Sequence, residues 1–356
     1  MVTPFTYMAA PSRVVFGPGR LAELGSELAR LGIRRALVLC TPEQAGLAGG
    51  VAERLESLAC GTYERATMHT PVSVTEDATA HAKALDADGL VAIGGGSTIG
   101  LGKALALRAG LPLVAVPTTY AGSEMTSILG ETEGARKTTQ RSEKVRPRTV
   151  IYDVELTLSL PAGLSATSGI NALAHAVEAL YAQDGNPIVS LIAEEGIAAL
   201  GRSLPHIVSN PSGDMAARSD ALYGAWLCGT CLGAVAMGLH HKICHVLGGT
   251  FDLPHAPTHT VMLPHTAEYN AVAAGCAMDR IARALGAEDA VSGLFALNQR
   301  LDAPLALRDF GMPERGIVEA VDLVLRDQYA NPRPPERAAI EAMLRRAWAG
   351  EPPRRA

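Results

Sequence analysis

The stretch GLVAIGGGSTIGLGKALALRAGLPLVAVPTT, residues 89–119, decides the fold. GLVAI is a short continuous apolar run closed by three glycines, the signature of a buried strand. GSTIGLGKALALRA is helix-competent, and LPLVAVP is a second apolar run ended by Pro117 and two threonines. Strand, helix and strand in that order make a parallel unit. Toward the N-terminus the alternation continues. RALVLC (35–40) is another strand run, VAERLESLA (51–59) and TEDATAHAKAL (75–85) repeat apolar residues at helical spacing, and Leu21, Leu24, Leu28 and Leu31 share one stripe that Gly32 stops. The pattern predicts a parallel sheet covered by helices on both faces.

Beyond Thr118 the character changes. MTSILGETEGARKTTQRSEKVRPRTVIYD (125–153) reads as a hairpin excursion, and Asp153–Pro161 as a hinge. After it nearly everything is helical, including LSATSGINALAHAVEALYA (164–182), PIVSLIAEEGIAALGRSLPHIV (187–208) and DMAARSDALYGAWLCGTCLGAVAM (214–237). Two domains are expected: an α/β dinucleotide-binding domain with a parallel sheet over 1–160 and an all-α substrate and catalytic domain over 161–356.

Composition bounds the function. The chain has 356 residues, 48% hydrophobic and 19% charged, with a net charge of −5. That supplies ample core and no basic field for polyphosphate, so nucleic acid is not an expected partner. No apolar run reaches the ~20 residues a membrane span needs, and the N-terminus carries no signal-peptide pattern. A cytoplasmic protein without a membrane partner is expected. The six cysteines are thinly spread, and Cys228-x-x-Cys231 lies in a small, apolar run, which fits buried thiols rather than a redox pair or a zinc site.

Two features carry chemistry. Gly94, Gly95, Gly96 and Ser97 join a strand to a helix that includes Lys103. Glycines there let backbone amides approach an anion, and the helix N-terminus adds partial positive charge, so a pyrophosphate is the natural guest, although the spacing is neither GxGxxG nor a Walker loop. Thr118 and Thr119 end the next strand at the carboxyl edge of the sheet, where ligands of open α/β sheets sit. The second feature is a concentration of histidine: His240, His241, His245, His255, His259 and His265 fall within 26 residues. His241 and His245 share a helix face at i,i+4, as do Asn171 and His175 on an earlier helix, so two helices can converge on one site.

Strand-GGGS-helix-Lys, then PTTxxGSE (117–124), GxNAxxHxxE (169–178), HxxxH with a further His ten residues on, and LPH after that, resembles the iron-containing alcohol dehydrogenase superfamily along nearly the whole chain. The resemblance implies the shared dehydroquinate synthase-like architecture and a nicotinamide cofactor. In metal-dependent members the cation is held by four residues whose motif positions are here Asn171, His175, His241 and His255. Several departures separate this chain from them. Gly100 replaces the Asp of GGGSxxD, Asn171 replaces the metal-binding Asp, Pro254-His255-Ala256 replaces PHG, and His259 stands where Asn is common. With GGGSTIGLGKA, HHKICHVLGG and NPRP (331–334), this pattern resembles the maleylacetate reductase branch. Its members reduce the carbon–carbon double bond of maleylacetate to 3-oxoadipate in aromatic compound degradation, using NADH or NADPH and generally no metal.

The residue chemistry agrees, because a neutral amide removes one negative charge from a cation site. A metal-free enzyme is therefore expected, with His175, His241 and His255 the ligands of any ion that is held. Asn171 and the imidazoles of His175, His241 and His255 are expected to stabilise the enolate formed by hydride addition, His245 to supply a proton, and Lys242 to anchor a carboxylate of the dicarboxylate substrate. Thr41, at the end of strand 36–40, stands where relatives strict for NADH carry Asp, which admits NADPH. A homodimer is expected. The main alternative is a metal-dependent alcohol or polyol dehydrogenase of the same superfamily. A dehydroquinate synthase-type lyase is disfavoured because its basic phosphate-binding constellation is not evident, and a non-enzymatic binding protein would show no dinucleotide-linked turnover.

Overall fold

In the computed structural model, which describes residues 5, 7–9, 12–134, 136–210 and 213–354, the first half alternates strand and helix. The order is β1 (Arg13–Gly17), α1 (Leu24–Arg30), β2 (Ala36–Leu39), α2 (Ala45–Leu55), β3 (Ala59–Tyr63), α3 (Val72–Ala84), β4 (Gly89–Gly94), α4 (Gly96–Ala109) and β5 (Leu113–Pro117). The expected hairpin follows as β6 (Ile128–Glu133) and β7 (Arg136–Arg141), antiparallel to each other, and β8 (Thr149–Asp153) returns to the main sheet. That sheet has the order β1-β8-β5-β4-β2-β3, and every pair in it is parallel.

Central strands are the continuously apolar ones, as burial on both faces requires. β2, β4, β5 and β8 are buried throughout, and β4 runs in register with both neighbours, Leu90 opposite Leu37 and Leu113. Alternate residues feed two cores. Val91 and Ile93 join Val38, Val114, Leu24 and Leu28 on one face, while Leu90 and Ala92 join Leu37, Leu39, Leu101 and Leu105 on the other. β1 sits at the sheet edge with β8 as its partner, Arg13 opposite Thr149.

Three strands, β1, β3 and β8, escaped the sequence pattern. The helix expected over 51–59 stops at Leu55, a turn with Glu56 at φ 50° reverses the chain, and Ala59 already belongs to β3. β1 and β3 are partly exposed edge strands, so their apolar signal is diluted.

By mutual contact the chain divides into Ala10–Leu160 and Pro161–Ala356, with Phe5 and Tyr7–Ala9 grouping with the second unit. The second unit is helical: α5 (Ala162–Ala179), α6 (Pro187–Ser209), α7 (Met215–Ala234), α8 (Leu239–Phe251), α9 (His255–Ala271), α10 (Gly275–Leu285), α11 (Ala290–Arg300), α12 (Gly316–Arg326) and α13 (Arg337–Ala349). α5 is its axle, buried almost without interruption from Ser165 to Ala179 and packed by α6, α7 and α9. Pro264 lies inside α9, where its missing N–H would orphan a carbonyl. Asn298 Nδ2 donates to that carbonyl, Thr260 O, at 2.7 Å. Cys228 and Cys231 are buried, unbridged thiols, and burial pushes both above the ordinary thiol range. Among the described residues no single helix is long and apolar enough to cross a membrane.

Candidate active site

The glycine turn of the α/β unit leaves the start of α4 uncapped by any side chain. Gly94 ends β4 at φ 153°, and a Cβ there would lie 2.5 Å from both Gln44 Oε1 and Thr98 Oγ1. Gly95 precedes α4 without any side-chain cap, Gly96 is exposed and Ser97 half-exposed, so the first amides of α4 face outward. Thr118 is tied into the same turn: its N–H donates to Gly94 O at 3.1 Å and its hydroxyl accepts from Gln44 Nε2 at 2.8 Å. Thr119 is half-exposed beside Gly95, and Thr41 follows β2 at the same carboxyl edge of the sheet.

Lys103 is a correction. Its side chain is buried, and Nζ donates to Ser123 O at 2.5 Å, Thr126 Oγ1 at 2.8 Å and Ile128 O at 2.9 Å. All three ammonium hydrogens are taken, so Lys103 secures the loop after β5 and does not reach for a phosphate. Burial pushes its pKa down to about 7, partly offset by the charge of Glu124.

Chemistry in the helical unit centres on six imidazoles from three helices. One face of α5 presents Asn171, His175 and Glu178; α8 supplies His240, His241 and His245; α9 supplies His255 and His259. Their rings form a connected cluster. His175 stacks on His241 at 5.0 Å between centroids, His241 lies 4.9 Å from His259, and His259 lies 4.4 Å from His255. His245 stacks on His255 at 6.2 Å and lies 6.1 Å from His241. The inner rings (His175, His240, His241, His259) are buried, whereas His245 and His255 are exposed in this chain.

Hydrogen bonds fix the tautomers of three inner rings, those of His240, His241 and His259. Thr266 has one hydroxyl hydrogen, directed at Met262 O or Leu263 O, so it accepts from His240 Nδ1 at 3.0 Å. His240 Nε2 is then the acceptor for His259 Nδ1 at 2.9 Å, and His259 Nε2 carries a bare lone pair without a partner. His241 donates from Nδ1 to Glu178 Oε2 at 2.5 Å, which leaves His241 Nε2, also without a partner, bare as well. His175 Nδ1 is a third buried nitrogen with no partner. Unsatisfied buried polar atoms are uncommon in folded proteins, and three in one cluster mark a site shaped for something else to bind.

Burial and mutual repulsion keep His175, His240 and His259 neutral. Desolvation drives His175 and His259 well below the usual imidazole range and His240 down to about 3, with the neighbouring histidines adding to the effect. Burial pushes the Glu178 carboxyl up, but the bond from His241 and the amides of α8 outweigh it and hold the group below the ordinary range.

A cation placed here would meet neutral donors. Glu178 is already spent on His241 and on backbone amides, so His175, His241 and His255 offer imidazole nitrogen without an anionic ligand beside them. A second group, His240, Cys244 and His259, has its ligand atoms within 4.8 Å of one another. Those atoms are spent on each other, with Cys244 Sγ 3.8 Å from His240 Nε2, and burial pushes the Cys244 thiol well up, so it supplies no thiolate.

Of the expected residues, Asn171, His175, His241, His245 and His255 lie on the three helices that build the cluster. Lys242 is the exception: its Nζ pairs with Asp327 at 2.5 Å, and its positive charge is engaged there. Sequence reasoning placed Glu178 in a motif and His240 and His259 in the histidine segment without giving them a role, and missed Thr266. The i+3 spacing from His175 to Glu178 was a usable signal for the first, since both fall on one helix face.

Family models match both parts of the chain, the iron-containing alcohol dehydrogenase model over residues 11–154 and the C-terminal model of the Fe-containing alcohol dehydrogenase family over 165–348. A maleylacetate reductase of Burkholderia cepacia is 55% identical over 98% of this chain and 99% of its own length. The crystal structure of maleylacetate reductase from Agrobacterium tumefaciens is 51% identical, with a TM-score of 0.95 over 99% of this chain and 100% of that one. An iron-containing alcohol dehydrogenase structure from Corynebacterium glutamicum is 45% identical, with a TM-score of 0.93 over 98% of both chains. The chain belongs to the iron-containing alcohol dehydrogenase family.

Proposed function

We propose that the protein reduces the carbon–carbon double bond of maleylacetate to 3-oxoadipate, taking hydride from NADH or NADPH and a proton from the protein. The observation that carries this reading is the full-length relationship to maleylacetate reductases at more than half identity. Asn171 and the neutral imidazoles of His175, His240 and His259 support it chemically.

Hydride adds to one alkene carbon, charge moves onto the conjugated ketone oxygen as an enolate, and a proton completes the new C–H bond. Asn171, His175 and His255 are the groups that donate hydrogen bonds to that developing charge, doing what a Lewis acid does elsewhere, while His241, whose ring hydrogen is taken by Glu178, offers only an acceptor at Nε2. His245, exposed at the rim of the cluster, is the proton donor in this reading, and His245→Ala would lower kcat by about 10²-fold. Thr41 places no carboxylate against a ribose 2′-phosphate, so NADPH serves within about tenfold of NADH in kcat/KM. Metal-independence, a cytoplasmic setting and a homodimer complete the reading.

Purified protein should oxidise NADH on addition of maleylacetate, should not oxidise simple alcohols, and should keep its activity after chelation. The alternative, a metal-dependent alcohol dehydrogenase, draws on the partnerless nitrogens of His175 and His241, which are the kind of donor a divalent ion takes. Robust propanediol oxidation that chelation abolishes and iron or zinc restores, without maleylacetate turnover, would replace the first reading by the second.

A further inference from the structure

The first turn of α8 is closed by two side chains from distant parts of the helical unit. Glu178, on α5, accepts from the N–H of His240 at 2.9 Å and of Gly238 at 3.2 Å, with His241 N at 3.4 Å. Asn331, in the NPRP loop, accepts from Leu239 N at 3.2 Å. All four leading amides, Gly238 to His241, are thereby satisfied. Asn331 is itself held: Nδ2 donates to Asn270 Oδ1 and to Arg333 O, both at 2.6 Å. Gly238 makes the closure possible, because a Cβ there would sit 3.0 Å from Asn331 Oδ1, 3.1 Å from Ala330 O and 3.2 Å from Glu178 Oε1.

The same carboxylate takes the Nδ1 hydrogen of His241. A helix end needs acceptors, but an amide or hydroxyl would serve, and burying a charge for that purpose alone is unfavourable. What the carboxylate adds is a fixed ring: His241 held by one nitrogen, with the other bare and partnerless inside the cluster. We infer that Glu178 and Asn331 are positioning residues for the reduction, fixing the first turn of α8 and locking His241 in the tautomer that keeps Nε2 a hydrogen-bond acceptor inside the cluster. The inference rests on the proposed function for its client reaction, and on the closed helix end for its geometry.

The test joins ring ¹⁵N spectroscopy to kinetics. In the wild type, the His241 signals, assigned by their loss in His241→Gln, should show a protonated Nδ1 and a bare Nε2. Glu178→Gln places an amide NH₂ among donors, so the tautomer preference should be lost and kcat should fall about 10²-fold, with KM for NADH unchanged within twofold. Asn331→Ala should fold, lower kcat about tenfold and leave KM for NADH alone, which keeps the inference open to refutation even if Glu178→Gln does not fold. A wild-type His241 protonated on Nε2, a Glu178→Gln variant with normal kcat, or an Asn331→Ala variant that changes KM for NADH instead of kcat would overturn it. Failure of the wild type to turn over maleylacetate would be a different result, visible before any variant is made, and would remove the proposed reaction itself.

Discussion

Two helices in this molecule begin at a glycine without a side-chain cap of its own, and they have opposite fates. α4 starts after Gly95 with Gly96 exposed and its leading amides open. α8 starts after Gly238, and its leading amides are all taken by Glu178 and Asn331. Both ends carry the same partial positive charge. The difference matches the roles proposed for them: the open end would receive a mobile anion, whereas the closed one uses a resident anion beside a side chain of its first turn. Glycine serves both purposes by letting an oxygen come close to the backbone.

The contrast can be broken most severely at the open end. Gly94→Val puts a branched side chain at φ 153°, where the first added carbon already collides with Gln44 and Thr98. NADH should bind about 10²-fold more weakly, equivalent to roughly 3 kcal/mol, read by fluorescence titration, while the ring spectra of the histidines should stay unchanged.

A milder change makes α4 imitate α8. Ser97→Asp supplies a carboxylate to the first turn of α4, which should raise KM for NADH about tenfold by competing for the same amides, yet raise thermal stability by about 0.5 kcal/mol through the helix dipole. Opposite signs in binding and stability are the expected result. A variant that loses both would show that this end is not an anion site.

Acid should separate the two regions by stability. His175, His240 and His259 are held neutral, so below the ordinary imidazole pKa of about 6.5 the unfolded chain binds protons that the folded chain does not. Their contribution is fully present above that pH and is lost as pH falls toward about 3, the value for His240, by up to roughly 1 kcal/mol per pH unit for each ring. Glu178, held low, acts in the same direction. Glu124 in the α/β unit, raised by burial, acts oppositely, losing stability as pH rises through its raised pKa. Hydrogen exchange at pH 5 should therefore open α8 and α9 before the strands of the parallel sheet.

The smallest effect is expected at Lys242. Its pair with exposed Asp327 lies at the surface, where water screens it, and adds little to stability. Lys242→Ala should leave KM for the dicarboxylate within about twofold. A large rise would restore it as a substrate anchor.

These contrasts explain which parts of the molecule could be seen in the sequence. β2, β4 and β5 are continuous apolar runs flanked by helices, and burial on two faces leaves that mark on composition. β8 is as deeply buried, but it emerges from a polar hairpin and has no helix in front of it. The histidines were visible because i,i+4 spacing and crowding are local properties. Their supports were not: Asn331 reaches α8 from 92 residues away, and Thr266 looks like any helix threonine until His240 is packed beside it. Lys103 misled because a lysine soon after a glycine turn suggests phosphate, while its place on the inward side of α4 made it a core cation.

The parallel sheet also imposes a schedule. β1 pairs with β8, whose first residue, Thr149, lies 136 positions after Arg13. At a synthesis rate of about 5–20 residues per second, Arg13–Gly17 waits roughly 7–27 s for its partner to be made. Through that interval β2 to β5 can already be aligned on one another, so the earliest strand to leave the ribosome is the last to be incorporated. A nascent chain that ended at Arg148 would hold the rest of the sheet with the two positions beyond β5 empty, and five more residues, Thr149–Asp153, would add two strands on that side at once.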